Sequence, residues 1–166
     1  MLKTTILVML AALLSGCGYS LATRSESPLF GRTVSVTMFA NRTYQPNIEG
    51  ELRRALVTEA AKETSGQVSA ADADLLLEGE IDSLTLEITS FSAVDIARFY
   101  RMVLSLKAQL VDRKSGRIIW KSSETVRQEY PAGKDLALQR NARDAAIQAI
   151  CQSMARQIVA HINQAF

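Results

Sequence analysis

Residues Leu75 to Ile88 read LLLEGEIDSLTLEI, and apolar and polar residues alternate along this stretch in two halves. In the first half one face is formed by the odd-numbered positions Leu75, Leu77, Gly79 and Ile81. In the second half the apolar residues are at even-numbered positions, namely Leu84, Leu86 and Ile88. Alternation with a period of two predicts a β-strand. A shift of one residue turns the following side chains to the opposite face. The strand therefore either contains a bulge at Asp82-Ser83 or leaves one packing surface for another.

The residues after this strand predict an antiparallel hairpin. Ser90 to Ala97 is a connecting loop, and alternation then resumes from Tyr100 to Leu110. Residues 112–116, DRKSG, form a turn with glycine at the position that requires a positive φ. Arg117 to Tyr130 returns as the next strand. The sequence leaves the register of this hairpin open.

Strand and helix patterns also lie on either side of these strands. Thr33 to Phe39 alternates as a half-buried strand with Val34, Val36 and Met38 on one side. A helix follows, with Asn47 as its expected N-cap and Gly66 as its expected end. From about Leu136 onward, apolar residues at intervals of three and four predict a long amphipathic helix.

The predicted order is thus β-α-β-β-β-α, which indicates an α+β fold. A two-layer sandwich, in which a four-stranded mixed sheet carries two helices on one face, buries both helical stripes at once. The β-α-β connection favours one parallel pair, and the hairpins favour antiparallel pairs. We expect residues 33–166 to form this single domain.

The N-terminus has the form of a bacterial lipoprotein signal. Lys3 precedes an apolar run from Ile6 to Leu14, which is shorter than the roughly 20 residues that span a bilayer. Leu14-Ser15-Gly16-Cys17 then has the pattern of a lipobox. We predict a signal peptide at residues 1–16, lipidation of Cys17, and a tether over residues 17–32. The alternative is an ordinary secretory signal with a chance cysteine.

A lipid on Cys17 would leave Cys151 as the only other cysteine, so no disulfide could form. Cys151 lies within an apolar helical pattern, and we expect a buried, inert thiol.

Charge is distributed unevenly along the chain. Residues 17–97 contain 6 basic and 12 acidic side chains, whereas residues 98–143 contain 11 basic and 4 acidic ones. A basic segment in a nearly neutral protein suggests an anionic partner. The alternative is that the two segments compensate each other within the fold.

The sequence offers few groups for catalysis. His161 is the only histidine, and it lies one turn from the end of the last helix, where a structural or solvated role is expected. The acidic residues of the central strand are expected on a solvated face. No glycine-rich phosphate loop occurs, and no metal or cofactor site is predicted. The predicted location outside the cytoplasm also argues against nucleic acid as a partner. We therefore predict a protein that is not an enzyme.

Several motifs together resemble the LptE family of lipopolysaccharide-assembly lipoproteins. They are the lipobox followed by Gly18-Tyr19, then VTMFANRTYQP, IEGELRRAL, ADLLLEGEI, YRMVLSLKAQLVDRKSGRIIW and the long terminal helix. The resemblance covers essentially the whole mature chain. The order and spacing of the motifs carry it, since each motif alone is only moderately specific.

The resemblance implies a lipoprotein anchored to the inner leaflet of the outer membrane and facing the periplasm. Members of this family plug the β-barrel LptD and help to place lipopolysaccharide in the outer leaflet. Gly18 is compatible with outer-membrane sorting, because the usual inner-membrane retention signal is an aspartate at that position.

The resemblance also implies where lipopolysaccharide binds. Family proteins carry basic residues near the loop before the long middle strand and near the start of the last helix. The nearest candidates here are Arg98 and Arg101 for the first region, and Lys134, Arg140 and Arg143 for the second. The loop from Ser90 to Ala97 carries no basic residue and contains Asp95.

Two other functions compete with this one. A lipoprotein activator of peptidoglycan synthesis shares the short tether, the "NRT" segment and a similar layout, but needs a tether long enough to cross the cell wall. The tether here reaches roughly 50 Å, which favours a protein that works close to its own membrane. A hydrolase is the third hypothesis, and it would depend on the terminal His161.

Overall fold

Five strands and two helices make up the described part of the chain. The structure is a computed structural model that describes residues 28–29, 31–64, 72–91, 97–133 and 135–166. The elements are β1 (Val34–Val36), β2 (Ala40–Asn41), α1 (Ile48–Glu63), β3 (Leu75–Phe91), β4 (Ala97–Asp112), β5 (Arg117–Pro131) and α2 (Leu136–Gln164). The predicted signal peptide, Cys17, most of the tether and the centre of the 90–97 loop lie outside the described residues.

The strands form one mixed sheet in the order β1-β3-β4-β5, and β2 also pairs with β3. β1 and β2 run parallel to β3, whereas β3–β4 and β4–β5 are antiparallel. α1 packs on β1, β2 and α2, and α2 packs on β4 and β5, so both helices cover one face. The predicted α+β sandwich is confirmed. One detail differs, because the strand predicted over Thr33 to Phe39 is shortened to β1, and after a break a separate short strand, β2, follows it.

A packing contact with β3 explains this break. Gly79 lacks a side chain on the helix-bearing face, and the ring of Phe39 fills the space above it. Phe39 is buried at 2% exposure, while Met38 is 58% exposed. The prediction that Met38 continues the buried side of Val34 and Val36 is therefore wrong. The chain changes phase after β1 so that the larger aromatic side chain reaches the core.

The phase shift in β3 is a bulge. Ile81 pairs with Leu106 and Ser83 with Ser105, so Asp82 is the extra residue. Beyond it Leu84 pairs with Leu104, which keeps the apolar side chains of both halves on the helix-bearing face. Of the two alternatives that the sequence left open, the bulge is correct.

The core lies between this face and the helices. Leu52 and Leu56 of α1, Ile150 and Ile158 of α2, and Leu104 of β4 are each fully buried in one hydrophobic cluster. This confirms the apolar stripes on which the helices were predicted. Neither described helix combines the length and apolar content that crossing a bilayer requires.

The ends of α1 differ in detail from the predictions. Asn47 is the N-cap residue, but it has a left-handed φ of 62° and its side chain makes no capping hydrogen bond. Instead Asn41 bridges the start of the helix, since its Nδ2 donates to Glu49 Oε2 at 2.8 Å. The helix ends at Glu63, and the backbone N–H of Thr64 donates to the Ala60 carbonyl. Gly66, the predicted cap, lies outside the described residues.

The chain enters the sheet at the end formed by β1, the start of β3 and the β4–β5 turn, which we call the lower end. Leu29 is already buried there at 1% exposure, although it belongs to the predicted tether. Arg32 Nη2 donates to Asp112 Oδ2 at 2.8 Å. Hydrogen bonds from the Ser115 backbone and hydroxyl, together with Arg32, lower the pKa of Asp112 to about 2. The packed part of the chain thus begins before Thr33.

We predict that Gly79→Ala destabilises the fold. The new Cβ would overlap the Lys107 carbonyl oxygen and come within 2.5 Å of the Phe39 ring carbon Cε1. We expect a loss of about 2 kcal/mol in the free energy of unfolding, measured by chemical denaturation. Gly50→Ala is the control, because a Cβ there meets no atom within 4 Å and α1 should gain at most about 1 kcal/mol. Equal stability of the Gly79 variant and the wild type would contradict this account of the strand break.

Candidate functional site

The predicted basic residues that the structure describes lie toward the opposite end of the sheet, which we call the upper end. Here β4 begins, β5 ends and α2 begins, and Phe99 pairs with Pro131. Three of the five predicted residues have described side chains, namely Arg101, Arg140 and Arg143. Arg98 contributes backbone to β4, but its side chain and all of Lys134 lie outside the described residues.

Arg101 lies on the face of the sheet that carries no helices, which we call the outer face. It is directly opposite Glu129 of β5. Its Nη2 and Nε donate to Glu129 Oε1 at 2.7 and 3.1 Å. The charge of Arg101 is therefore already compensated by a cross-strand partner.

Arg143 lies on α2, on the helix-bearing side of the sheet. Its Nη2 donates to Gln45 Oε1 at 2.8 Å, which links α2 to the loop before α1. It also lies close to Tyr130, where burial raises the pKa of the phenol and the charge of Arg143 opposes the rise. The partner of this guanidinium is a neutral amide, so its positive charge is not neutralised there.

Arg140 lies one turn before Arg143 and is exposed. Among the described residues, no hydrogen bond or ion pair of Arg140 is present. The two arginines of α2 thus carry positive charge at the upper end that no described carboxylate neutralises. Arg101 is separated from them by the sheet, so the predicted residues do not form one cluster.

Exposed apolar side chains surround the upper end, and the sequence reasoning missed them. Those that exceed 40% exposure are Leu86, Ile88, Phe99, Leu136 and Leu138. The two leucines of α2 lie in its first turn, beside an Asp135 side chain that accepts hydrogen bonds from the Ala137 and Leu138 N–H groups. The sequence carried a signal for one of them, since Leu138 falls outside the apolar stripe of α2, whereas Leu136 lies in line with it, eleven residues before Ile147.

A second feature that the sequence did not reveal is a buried carboxylate on the helix-bearing face. Glu124 is 3% exposed, and its Oε2 accepts from Gln157 Nε2 at 2.6 Å. Its Oε1 lies 2.7 Å from His161 Nδ1. Burial alone would raise the pKa of Glu124, but hydrogen bonds from His161, Gln157 and Ser122 outweigh it and hold the pKa below its ordinary value.

The arrangement around His161 differs from that of a serine hydrolase. A triad requires a hydroxyl bonded to the imidazole, with the carboxylate behind the ring. Here no hydroxyl among the described residues is hydrogen-bonded to the imidazole, whose Nδ1 contacts Glu124 Oε1. The contact therefore joins β5 to the last turns of α2, and His161 has a structural role.

Cys151 is buried at 1% exposure and is not part of a disulfide among the described residues. Burial, with a further contribution from the charge of Glu51, raises the pKa of its thiol to about 12. Such a thiol stays protonated at neutral pH and is a poor nucleophile, as predicted. No group of acidic, histidine and cysteine side chains within the described residues is arranged to hold a metal ion.

The sequence profile of the LptE family, described as lipopolysaccharide-assembly, matches residues 31–162. The chain belongs to the LptE family. The match covers the whole sheet, α1 and all but the last two residues of α2, and it confirms the family that the sequence motifs resembled. No curated protein sequence matches the chain significantly.

Solved structures share the fold of this LptE-family chain at low sequence identity. Protein XCC0632 from Xanthomonas campestris has a TM-score of 0.60 at 15% identity, covering 84% of this chain and 88% of its own. PelC from Paraburkholderia phytofirmans, a dodecamer, has a TM-score of 0.55 at 15% identity, covering 78% and 87%. A minor lipoprotein from Acinetobacter baumannii has a TM-score of 0.51 at 15% identity, covering 80% and 91%. At such identities the likeness concerns the fold alone.

We predict that Glu124 makes the stability of this LptE-family protein sensitive to acid. Because its pKa is lower in the folded state, its contribution is full above the unfolded pKa of about 4.3 and is lost as the pH falls through the folded value. The free energy of unfolding of the wild type should therefore fall more steeply below about pH 5 than that of Glu124→Gln. Chemical denaturation between pH 7 and pH 3 measures this difference.

Asp144→Asn is the control, since Asp144 is an exposed carboxylate on the same helix and lies outside the Glu124 contact. It should keep the steep acid dependence of the wild type. Parallel curves for the wild type and Glu124→Gln would show that the contact contributes nothing to acid stability.

Proposed function

We propose that this protein is a non-catalytic outer-membrane lipoprotein, anchored through Cys17, that plugs an LptD-like β-barrel and assists the insertion of lipopolysaccharide into the outer leaflet. The observation that carries the proposal is the family match over residues 31–162. The lipobox at the N-terminus supports the anchor, because it fixes both the attachment and its position before the domain.

The dimensions of the sheet fit a plug. β4 has 16 residues, which at 3.4 Å per residue is about 50 Å, and the hydrocarbon core of a bilayer is roughly 30 Å thick. The anchored N-terminus joins the domain at the lower end, where Leu29 is buried. A lipid in the inner leaflet would therefore hold the lower end near the periplasmic surface and direct the upper end toward the outer leaflet.

The chemistry of the upper end fits lipopolysaccharide. This lipid combines phosphates with acyl chains. On α2, Arg140 and Arg143 follow the exposed Leu136 by four and seven residues, so these three side chains share one face of the helix. A phosphate gains charge-assisted hydrogen bonds from a guanidinium. Arg143 would exchange only a neutral amide for a phosphate, whereas Arg101 would have to leave the carboxylate of Glu129. Among the described candidates, the arginines of α2 are therefore the first contacts, and Arg101 is secondary.

A pull-down of the mature, lipidated protein from outer membranes tests the plug. We expect a β-barrel of the LptD type to copurify in a stoichiometric complex, which mass spectrometry would identify. Cys17→Ala is the control for the anchor, and its product should be released from the membrane fraction. Repeated recovery of the lipidated protein without any barrel would exclude the plug.

Charge reversal tests the lipid-binding residues. We expect Arg140→Glu/Arg143→Glu to weaken the binding of purified lipopolysaccharide by about tenfold at low salt, with a smaller difference at high salt because surface charges are screened. Isothermal titration across a salt series measures this effect.

Arg156→Glu is the matched control, since Arg156 is an exposed arginine near the other end of the same helix and bonds only to Ser153 among the described residues. Unchanged lipopolysaccharide affinity in the double variant at every salt concentration would remove Arg140 and Arg143 from the site.

A further inference from the structure

The upper half of β3, residues 83–91, is an open edge of the sheet. β4 pairs with it on one side. On the other side β1 and β2 cover β3 only as far as Ile81, where the Arg42 N–H donates to the Ile81 carbonyl at 3.1 Å. Beyond that bond, no described residue pairs with this side of β3. An edge of this length is a template for another strand.

The bulge decides which peptide groups face the open side. Below it, Leu75, Leu77 and Ile81 direct their peptide groups away from β4, to the β1 and β2 side. Leu106 of β4 pairs with Ile81, and Leu104 of β4 pairs with Leu84. Leu106 and Leu104 are two positions apart on β4, so their peptide groups point in the same direction, away from β3. Because orientation alternates along an antiparallel pair, the peptide groups of Leu84, Leu86 and Ile88 point to the open edge.

The same residues expose apolar side chains. Leu86 is 53% and Ile88 is 49% exposed, and both lie on the helix-bearing face. α1 packs on β1, β2 and α2 and leaves this part of β3 uncovered. The outer face carries Thr85 and the acidic Glu87 instead. Open hydrogen-bonding groups and exposed apolar side chains thus belong to one short stretch.

An extended polypeptide satisfies both features at once. An acyl chain would cover the side chains of Leu86 and Ile88 but could not bond to their peptide groups. A strand pairs with the peptide groups and places alternate side chains over the apolar ones. On the outer face, a basic or neutral polar side chain of such a strand would complement Glu87.

We propose that the open edge of β3, at Leu84, Leu86 and Ile88, binds an extended segment of the β-barrel partner as an added strand, with apolar residues of that segment over Leu86 and Ile88. The identity of the partner rests on the proposed function. A closed barrel has no free strand edge, so the added strand must come from a loop or turn of the barrel that enters its lumen.

Site-specific photo-crosslinking tests this contact in the full lipidated protein, coexpressed with the barrel of the same organism in outer membranes. The photoreactive residue replaces Leu86 or Ile88, and Ile118 is the matched control, since it is 52% exposed but lies at the lower end. We expect strong crosslinks from positions 86 and 88 to one loop of the barrel, and weak ones from position 118.

Several outcomes would overturn the proposal and are distinguishable from failure of the plug. If the barrel copurifies but positions 86 and 88 crosslink to lipopolysaccharide, to a second copy or to this chain itself, the added strand is wrong while the plug stands. If no barrel copurifies with the unsubstituted protein, both proposals fail.

A backbone variant separates strand pairing from apolar contact. Leu86→Pro removes an N–H that faces the open edge, a position where proline is tolerated in strands. We expect its crosslink yield from position 88 to fall about five- to tenfold, the effect of losing one hydrogen bond and its neighbours. A wild-type yield from a variant that is shown to be folded by circular dichroism would exclude pairing at this edge.

A second variant, Leu86→Asp, tests the added strand if the proline variant does not fold. It retains the backbone donor and places a charge where the added strand is apolar, so we expect a similar fall in yield. Ile118→Asp is its control and should leave the crosslink from position 88 unchanged. Undiminished crosslinking in Leu86→Asp would show that the apolar side chain has no part in the contact.

Discussion

The bulge after Ile81 is the constraint on which most of this structure depends. Without the extra residue Asp82, Leu84 and Leu86 would turn to the outer face, since strand side chains alternate with a period of two. The Asp82 side chain instead accepts a hydrogen bond from Lys107 Nζ at 3.1 Å. The bulge also marks the point where β2 stops pairing. One irregularity thus makes β3 a central strand below Ile81 and an edge strand above it.

Local patterns were sufficient to predict much of this fold. The phase shift in β3 and the turn before Gly116 can be read from neighbouring residues, and both are present. The break between β1 and β2 could not be predicted, because it depends on Phe39 filling the space above Gly79, forty positions along the chain. The same limit applies to Glu124. Its buried position depends on His161 of α2, which no local pattern connects to β5.

For the candidate site too, the features that depend on neighbouring residues could be predicted from the sequence, and those that depend on distant residues could not. The sequence placed Arg101 and Arg143 near the same end of the sheet, which is correct. It could not show which residue of β5 lies opposite Arg101, since the register of the β4–β5 hairpin was open. That register sets Glu129 opposite Arg101 and neutralises it. The site residues themselves remain predictions, now with the two arginines of α2 ahead of Arg101.

Contacts within the fold account for part of the uneven distribution of charge, which is one of the two explanations that the sequence left open. The acidic β3 lies beside the basic β4, where Lys107 meets Asp82 and Gln109 Nε2 donates to Glu78 at 2.7 Å. The ion pair between Lys107 and Asp82 therefore compensates part of the apparent asymmetry within the outer face. The positive charge left at Arg140 and Arg143 belongs to α2 and shares a helix face with the exposed Leu136. An anionic and partly apolar ligand is thus better matched to the start of this helix than to the outer face of the sheet.

The two ends of the sheet differ in how many of their polar and apolar groups are paired or buried within the chain itself. At the lower end Leu29 is buried, Arg32 is paired with Asp112, and Thr33 donates to Asp74 through both its N–H and its hydroxyl. At the upper end the described chain leaves strand edge and apolar side chains open. Burial of an exposed leucine is favourable by about 1.5–3 kcal/mol, and the folded chain forgoes this gain at its upper end. Substitutions there should consequently cost little in the folding of the free protein and much in its assembly, whereas substitutions in the lower end should do the reverse.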